Sequence, residues 1–102
     1  MIRYSEMTDE QLLELETALI IRGNLNAAKE IYDFREVFGR TVEVVKGRKV
    51  PKGTIGKCFW LKRYDNSKYG DPWGIYGSTR IGIKTADGET YFTALNNVTI
   101  KE

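Results

Sequence analysis

The spacing of apolar residues changes at Gly39, and this change limits the folds open to the chain. Before Gly39, one segment has apolar residues at intervals of three and four, the repeat of a helix face: Ala27, Ile31, Phe34 and Phe38. After it, residues 75–84 alternate in the period of a strand. The 102 residues therefore form a helical part, 1–38, and a strand part, 39–102, within a single domain.

The helical part carries start signals for two helices. Thr8 with Gln11 three residues later has the spacing of a capping box, which predicts a helix from about Thr8 to Arg22. Asn24 or Asn26 then caps a second helix. Because the connection is short, we expect an antiparallel helical hairpin.

The strand part contains five segments of strand composition separated by turn residues. They are residues 41–46, 54–62, 75–84, 90–95 and 98–100. Five short strands with tight turns predict a small antiparallel barrel that is closed or nearly closed. In the second strand Cys58 and Trp60 alternate with Phe59 and Leu61, so both faces are apolar. We expect the helical hairpin to cover the outer face.

The Asp87-Gly88 pair predicts a hairpin register. If both are central turn residues, Ile83 lies opposite Phe92 on the inner face. The outer face then collects aromatic and cationic side chains: Tyr76, Arg80, Lys84 and Tyr91. Such a face could stack bases and follow phosphates, or it could be an ordinary solvated face with a cation–π pair.

The chain lacks the residues of common catalytic and metal sites. There is no His, and Cys58 is the only cysteine, so an intrachain disulfide and a Cys/His zinc site are excluded. With no acid–base or nucleophile constellation, we expect a protein that is not an enzyme and holds no cofactor or metal. No apolar run could cross a bilayer or form a signal peptide, so we expect a cytoplasmic protein without a membrane partner.

Charge is divided unevenly along the chain. Residues 1–38 are acidic on balance and residues 39–102 are basic. Between residues 40 and 63 the only acidic residue is Glu43, against a larger basic set: Arg40, Lys46, Arg48, Lys49, Lys52, Lys57, Lys62 and Arg63. This asymmetry indicates a polyanionic partner for the basic half, although the two halves could simply attract each other.

The segment KRYDNSKYGDPWG, residues 62–74, is long for a hairpin connection, and long ordered loops are often functional. Its rings could stack on bases, clasp a peptide or fold back as a lid over the barrel end. Its candidate binding residues are Lys62, Arg63, Tyr64, Lys68, Tyr69 and Trp73.

In the segment GRTVEVVKGRKVPKGTIGKCFW, residues 39–60, a glycine, an alternating strand, a turn glycine, a basic connection and Gly-x-x-Gly lead into a second strand. This order resembles the KOW motif of small SH3-like β-barrels, and the barrel likeness extends over residues 39–102. The matching positions are Gly39, Val42, Val44, Gly47, Gly53, Gly56 and Cys58. The segment departs from the motif at Arg40, where an acidic residue is common, and in the longer connection RKVPK.

KOW-containing domains of ribosomal proteins and transcription elongation factors bind RNA or protein partners, often through the basic turn. The resemblance therefore implies a contact surface at that turn, formed by Lys46, Arg48, Lys49 and Lys52.

These observations predict an α+β fold, with an N-terminal antiparallel helical hairpin packed on a five-stranded antiparallel SH3-like β-barrel. The predicted function is a non-enzymatic nucleic-acid-binding module for RNA or DNA, linked to transcription or translation, which contacts phosphates through its basic turn and adds aromatic stacking. The alternative is a protein interaction adaptor that docks on a larger assembly through the acidic helical hairpin or the aromatic loop, residues 62–74.

Overall fold

The computed structural model describes residues 4–64 and 77–101 of the chain. The helices are α1, Asp9–Ile21, and α2, Leu25–Val37. The strands are β1 (Thr41–Val44), β2 (Ile55–Tyr64), β3 (Ser78–Lys84), β4 (Thr90–Ala94) and β5 (Val98–Ile100). Short 3₁₀ turns occupy Tyr4–Glu6 and Leu95–Asn97. The predicted α+β class is confirmed.

The N-terminus of each helix is capped by the side chain of the preceding residue, Thr8 for α1 and Asn24 for α2. The Thr8 hydroxyl accepts a hydrogen bond from the Gln11 amide at 3.2 Å, and the Thr8 amide donates to the Gln11 side chain at 2.9 Å. This reciprocal pair is the predicted capping box. The Asn24 side chain accepts from the Ala27 amide at 3.2 Å, so Asn24 and not Asn26 caps α2.

The two helices run in opposite directions, as their short connection predicts. Tyr4, just before α1, packs edge to face on Phe34 near the end of α2, with ring centroids 5.5 Å apart. Arg35 of α2 also forms a 2.7 Å salt bridge with Glu16 of α1. The Glu16 hydrogen bond, outweighing burial, raises the pKa of the Arg35 guanidinium.

The five strands form one antiparallel sheet in the order β4-β3-β2-β1-β5. Because β4 and β5 are its two edges, the predicted closure into a barrel is wrong, and the sheet is open. The end of α2 covers the core instead, since Val37 and Phe38 pack against Val42 and Ile81 from the inner face of the sheet. Burial of the apolar face therefore does not require the edge strands to pair.

The open sheet is nevertheless strongly curled. The chain passes from one edge strand to the other through Leu95–Asn97 alone. At about 3.5 Å per residue this link reaches about 14 Å at most, whereas four strand spacings in a flat sheet are about 19 Å. Only a curled sheet brings its opposite edges close enough for so short a link.

The β3–β4 register differs by one residue from the prediction. Ile83 pairs with Tyr91, and Gly82 pairs with Phe92. Because side chains alternate along a strand, a shift of one residue exchanges the faces of β4. Tyr91 therefore packs against the core, and Phe92 lies on the outer face with 49% of its surface exposed. The predicted outer position of Tyr91 is wrong.

The turn between β3 and β4 explains this shift. The Thr85 amide donates to the Glu89 carbonyl at 2.9 Å, and the Gly88 amide donates to the Thr85 carbonyl at 3.0 Å. A two-residue type I′ turn requires a positive φ at both central residues. Gly88 has a φ of 88°, but the φ of Asp87 is not positive. The loop therefore has three residues, 86–88, and is closed by the pair Thr85 and Glu89. The predicted two-residue loop would have been closed by Ala86 and Glu89, so each residue of β3 pairs one position away from the prediction.

A β-bulge at Phe59 changes the faces of β2. Cys58 pairs with Ile83 and Trp60 pairs with Gly82, so Phe59 is an extra residue between the two pairs. The bulge places Trp60 on the outer face although Cys58 faces the core. The prediction that Cys58 and Trp60 share a face is wrong.

The core lies between the inner face of the sheet and the end of α2. Its buried residues are Val37, Val42, Val44, Val50, Cys58, Ile81 and Ile83. Burial raises the pKa of the Cys58 thiol, which is 1% exposed. Because α2 packs on the face that carries Cys58, the prediction that the hairpin covers the outer face is wrong.

Candidate nucleic-acid interface

Three cationic side chains from two separate parts of the chain line one small cavity on the outer side of the sheet. Arg48 and Lys49 come from the connection between β1 and β2, and Arg80 comes from β3. We call this cavity of about 120 Å³ the basic pocket. Its complete lining is Arg48, Lys49, Arg80, Phe92, Thr93, Ala94 and Asn97.

Asn97 holds the first half of the basic connection in place. Its carbonyl accepts hydrogen bonds from the amides of Val45 at 2.8 Å and Lys46 at 3.2 Å. Gly47 follows with a φ of 110°, and a Cβ there would lie 2.9 Å from the side-chain nitrogen, Nδ2, of Asn97. The Asn97 side chain in turn donates to Thr93 of β4 at 3.1 Å. This contact joins the connection to the edge strand.

Val50 and the turn after it hold the second half. Val50 is 6% exposed and belongs to the core. The Gly53 amide donates to the Val44 carbonyl at 2.8 Å, and the Thr54 hydroxyl donates to the Pro51 carbonyl at 2.7 Å. The two residues between Gly47 and Val50, Arg48 and Lys49, therefore project from a segment that is fixed on both sides.

Among the described residues, the cations of the basic pocket are not paired with carboxylates. Within residues 4–64 and 77–101, no carboxylate forms a salt bridge with Arg48, Lys49 or Arg80. None of the residues of β2, β3 and β4 is acidic. The pairing also places Lys62 beside Arg80 on the outer face. Cations that are not neutralised by neighbours attract polyanions from solution.

Exposed aromatic rings lie next to the basic pocket. Phe92, which lines the pocket, packs edge to face on Phe59 with centroids 6.0 Å apart and on Trp60 with centroids 5.5 Å apart. We call Phe59, Trp60 and Phe92 the aromatic cluster. Further along β2, the Lys62 ammonium lies 5.3 Å from the centre of the Tyr64 ring. Rings and cations are therefore interleaved on this face.

Arg63 has a different environment from its neighbours. Its guanidinium donates to Asn26 at 2.7 Å and to Thr79 at 3.1 Å, and its amide donates to Glu30 at 2.8 Å. These partners lie on α2 and on the inner side of β3. The Arg63 side chain therefore joins the hairpin to the sheet, and we do not count it among the predicted phosphate-binding residues.

The other predicted binding residues are distributed over several places. Lys46 and Lys52 are exposed in the basic connection, outside the lining of the basic pocket. Lys84 is exposed beside Lys57 at the far end of the outer face, about 13 Å along β3 from Arg80. Four predicted residues lie outside the described part of the chain: Lys68, Tyr69, Trp73 and Tyr76.

The aromatic cluster was missed as a set of site residues. The apolar character of both faces of β2 was the available signal, but we assigned the outer face to the hairpin. Gly82 was a second signal, because a glycine inside a strand often marks a close approach of other groups. A Cβ at Gly82 would lie 2.8 Å from the Phe92 ring and 3.0 Å from the Phe59 ring.

A larger cavity, of about 240 Å³, lies where the hairpin meets the sheet. Its wall includes Lys29, Asp33, Arg63 and Thr79. Asp33 is 3% exposed and accepts from Lys29 and from the Thr79 hydroxyl, each at 2.6 Å. Because these polar groups bind one another, we interpret this cavity as part of the hairpin–sheet contact.

Among the residues that the structure describes, no cluster of His, Cys, Asp and Glu could hold a metal ion. In the same part of the chain, no helix has the length and apolar character needed to cross a membrane. Comparisons with family models, curated proteins and solved structures give no match, so the likeness of residues 39–60 to the KOW motif stays a resemblance.

Proposed function

We propose that this protein is a non-enzymatic nucleic-acid-binding module that acts in the cytoplasm. The observation that carries the proposal is the basic pocket, in which Arg48, Lys49 and Arg80 converge without a carboxylate partner among the described residues. Phosphate contacts by Lys and Arg supply most of the affinity of such proteins, whatever the base sequence. Converging cations on a rigid frame suit this role better than scattered ones.

The KOW resemblance supports the same function from an independent direction, and it favours RNA and a setting in transcription or translation. The basic turn that is often the contact in that family contains Arg48 and Lys49 here. We propose that the curled sheet is an open variant of the SH3-like barrel. Strands β1 to β4 pair consecutively, and the last strand, β5, returns to β1.

The test is binding of labelled single-stranded RNA, single-stranded DNA and duplex DNA, measured by fluorescence anisotropy at several salt concentrations. If the three cations of the basic pocket each neutralise one phosphate, log K falls with log salt at a slope of about −2.1 for single strands and about −2.7 for duplex. The Arg80→Glu variant is expected to bind much more weakly, and its log K should depend less steeply on log salt.

The matched control is Arg22→Glu, which makes the same change in net charge on an exposed cation of the helical hairpin. It is expected to bind almost as tightly as the wild type. Equal weakening by Arg80→Glu and Arg22→Glu would show a general charge effect, and no binding at low salt would refute the proposed function.

A second candidate function, a protein interaction adaptor, is favoured by the exposed apolar side chains of α1. Leu13 and Ile20 are each 49% exposed, and Ile21 is 81% exposed. They occur in an acidic helix that also carries Glu10 and Glu14. Exposed apolar groups with a charged surround are typical of docking surfaces.

Capture of partners after nuclease treatment distinguishes the two functions. An adaptor retains a specific protein, loses it in the Ile20→Lys variant and keeps it in the Arg80→Glu variant. The predicted contribution of the aromatic loop is tested separately by Trp73→Ala, because residues 65–76 lie outside the described part.

A further inference from the structure

The aromatic cluster is exposed where the sheet could have been polar. Phe59 is 42% exposed and Phe92 is 49% exposed, and Trp60, which contacts Phe92, is partly buried. Binding of phosphates by the basic pocket needs no rings, so the proposed function does not account for them. Exposed apolar groups that adjoin one another on a small domain mark interaction sites.

The local backbone is arranged to bring these rings together on the outer face of the sheet. The bulge at Phe59 brings two successive side chains of β2, Phe59 and Trp60, to the same side of the sheet. Gly82 leaves the space beneath them, because a Cβ there would contact both phenylalanine rings at 3.0 Å or less. A bulge and a strand glycine therefore act together to place three rings over one point of β3.

Cations border the aromatic cluster. Phe92 lines the basic pocket together with Arg48, Lys49 and Arg80. Lys62 lies beside Arg80 in the adjacent strand. A ligand that crosses this face would meet positive charge next to the rings, and β2, β3 and β4 contain no acidic residue to repel it.

We propose that the aromatic cluster stacks unpaired bases, so that the polyanion taken by this surface is single-stranded. This inference rests on the proposed function, and it names the substrate class of the same site. In a duplex the base faces are covered by their neighbours, and exposed rings would gain nothing from contact with it. Rings beside cations are the means by which proteins bind single strands without reading their sequence, each stacked base strengthening binding about fivefold or more.

The experiment compares one twelve-nucleotide single strand, such as oligo(dT), with a twelve-base-pair duplex at the same salt concentration. The variant is Phe59→Leu/Phe92→Leu, which removes both flat rings and keeps apolar cover over Gly82. We expect the wild type to prefer the single strand about tenfold. The variant should lose about tenfold in affinity for the single strand and bind the duplex as the wild type does.

Two control variants make the result specific. Tyr32→Leu removes an aromatic side chain of α2 that is 44% exposed and lies away from the aromatic cluster, and it should change neither affinity. Arg80→Glu should weaken both, because it removes a phosphate contact. Thermal unfolding of each variant, followed by circular dichroism, establishes that the fold is retained.

A second measurement reads stacking directly. In a Trp73→Phe background the remaining tryptophan is Trp60, and its fluorescence should be quenched by the single strand and hardly changed by the duplex. This measurement keeps the inference testable even if the double leucine variant fails to fold.

The outcomes separate the inference from the proposed function. If single strand and duplex bind equally and Phe59→Leu/Phe92→Leu changes neither, while Arg80→Glu weakens both, stacking is refuted and nucleic-acid binding stands. If no nucleic acid binds at low salt, both are refuted. If a protein is retained after nuclease treatment and is lost in the leucine variant, the rings bind a protein and the inference is overturned.

Discussion

The two faces of the sheet use the same types of side chain for different purposes. On the inner face, Arg63 donates to Asn26 and Thr79, and Thr79 donates to the buried Asp33. On the outer face, Arg80 lines the basic pocket, where no described carboxylate forms a salt bridge with it. The comparison teaches that a cation in a strand is informative about function only when its partners are known.

The aromatic residues show the same division. Tyr91 and Phe92 are neighbours in β4, yet Tyr91 packs on the core and Phe92 on the outer aromatic cluster. In both pairs, Arg63 with Arg80 and Tyr91 with Phe92, the inner residue stabilises the fold and the outer residue is available to a ligand. Substitutions of neighbouring residues on opposite faces test this division.

The largest expected effect is that of Tyr91→Ala compared with Phe92→Ala. Removing a large ring from the core costs about 3 kcal/mol of unfolding free energy. The loss for the half-exposed Phe92 is expected to be about 1 kcal/mol, because only its contacts with Phe59 and Trp60 disappear. Urea unfolding of the two variants measures both values. A larger loss for Phe92→Ala would indicate the two-residue turn register and overturn the observed pairing.

Arg63→Ala compared with Arg80→Ala has the next largest effect. Loss of the Arg63 guanidinium leaves polar groups of Asn26 and Thr79 without that donor, and we expect a cost of about 2 kcal/mol. Arg80→Ala is expected to change stability by less than about 0.5 kcal/mol, as is usual for exposed positions. The same two proteins, compared in the anisotropy assay, should show the opposite order, with Arg80→Ala the weaker binder. Equal stability losses would contradict the division of roles.

The smallest expected effect concerns pH and the inner contacts of the hairpin. Burial, and then the charge of Glu30, raises the pKa of Tyr4 from 10.0 to about 12. The Tyr4 hydroxyl donates to Glu30 at 3.0 Å, and Glu30 also accepts from the Arg63 amide. Because the folded state holds this proton more tightly than the unfolded state, the stabilisation is complete below pH 10 and is lost as pH rises to about 12.

The measurement is the unfolding free energy of the wild type minus that of Tyr4→Phe between pH 9 and pH 12. Phenylalanine has no hydroxyl to titrate, so the difference should fall across this window by less than about 1 kcal/mol, since water screens a half-exposed group. A difference that is constant with pH would show that folding does not raise the pKa of Tyr4.

The parts of the fold that depend on neighbouring residues were predictable from the sequence. The capping box at Thr8 and the turn at Gly47 are local, and the structure contains both. The β3–β4 register was not predictable, because an Asp-Gly pair fits both a two-residue and a three-residue loop. Closure of the sheet depends on how α2 packs against it, which no local pattern records.

The candidate site shows the same limit. Arg48, Lys49 and Arg80 could be named from charge and alternation, and the structure brings them together. Phe92 could not be placed beside them, because the register error moved it to the inner face. The bulge at Phe59 depends on the pairing with β3, so alternation along β2 alone placed Trp60 on the same face as Cys58.

The return of β5 to β1 sets the order in which the sheet can assemble. Val42 pairs with Ile100 across most of the strand-forming part of the chain, whereas β3 and β4 are joined by one short turn. Chain entropy makes the closure of a long loop more costly than that of a short one. The β3–β4 hairpin is therefore expected to form early and the β1–β5 pair last, with a folding rate governed by this distant contact.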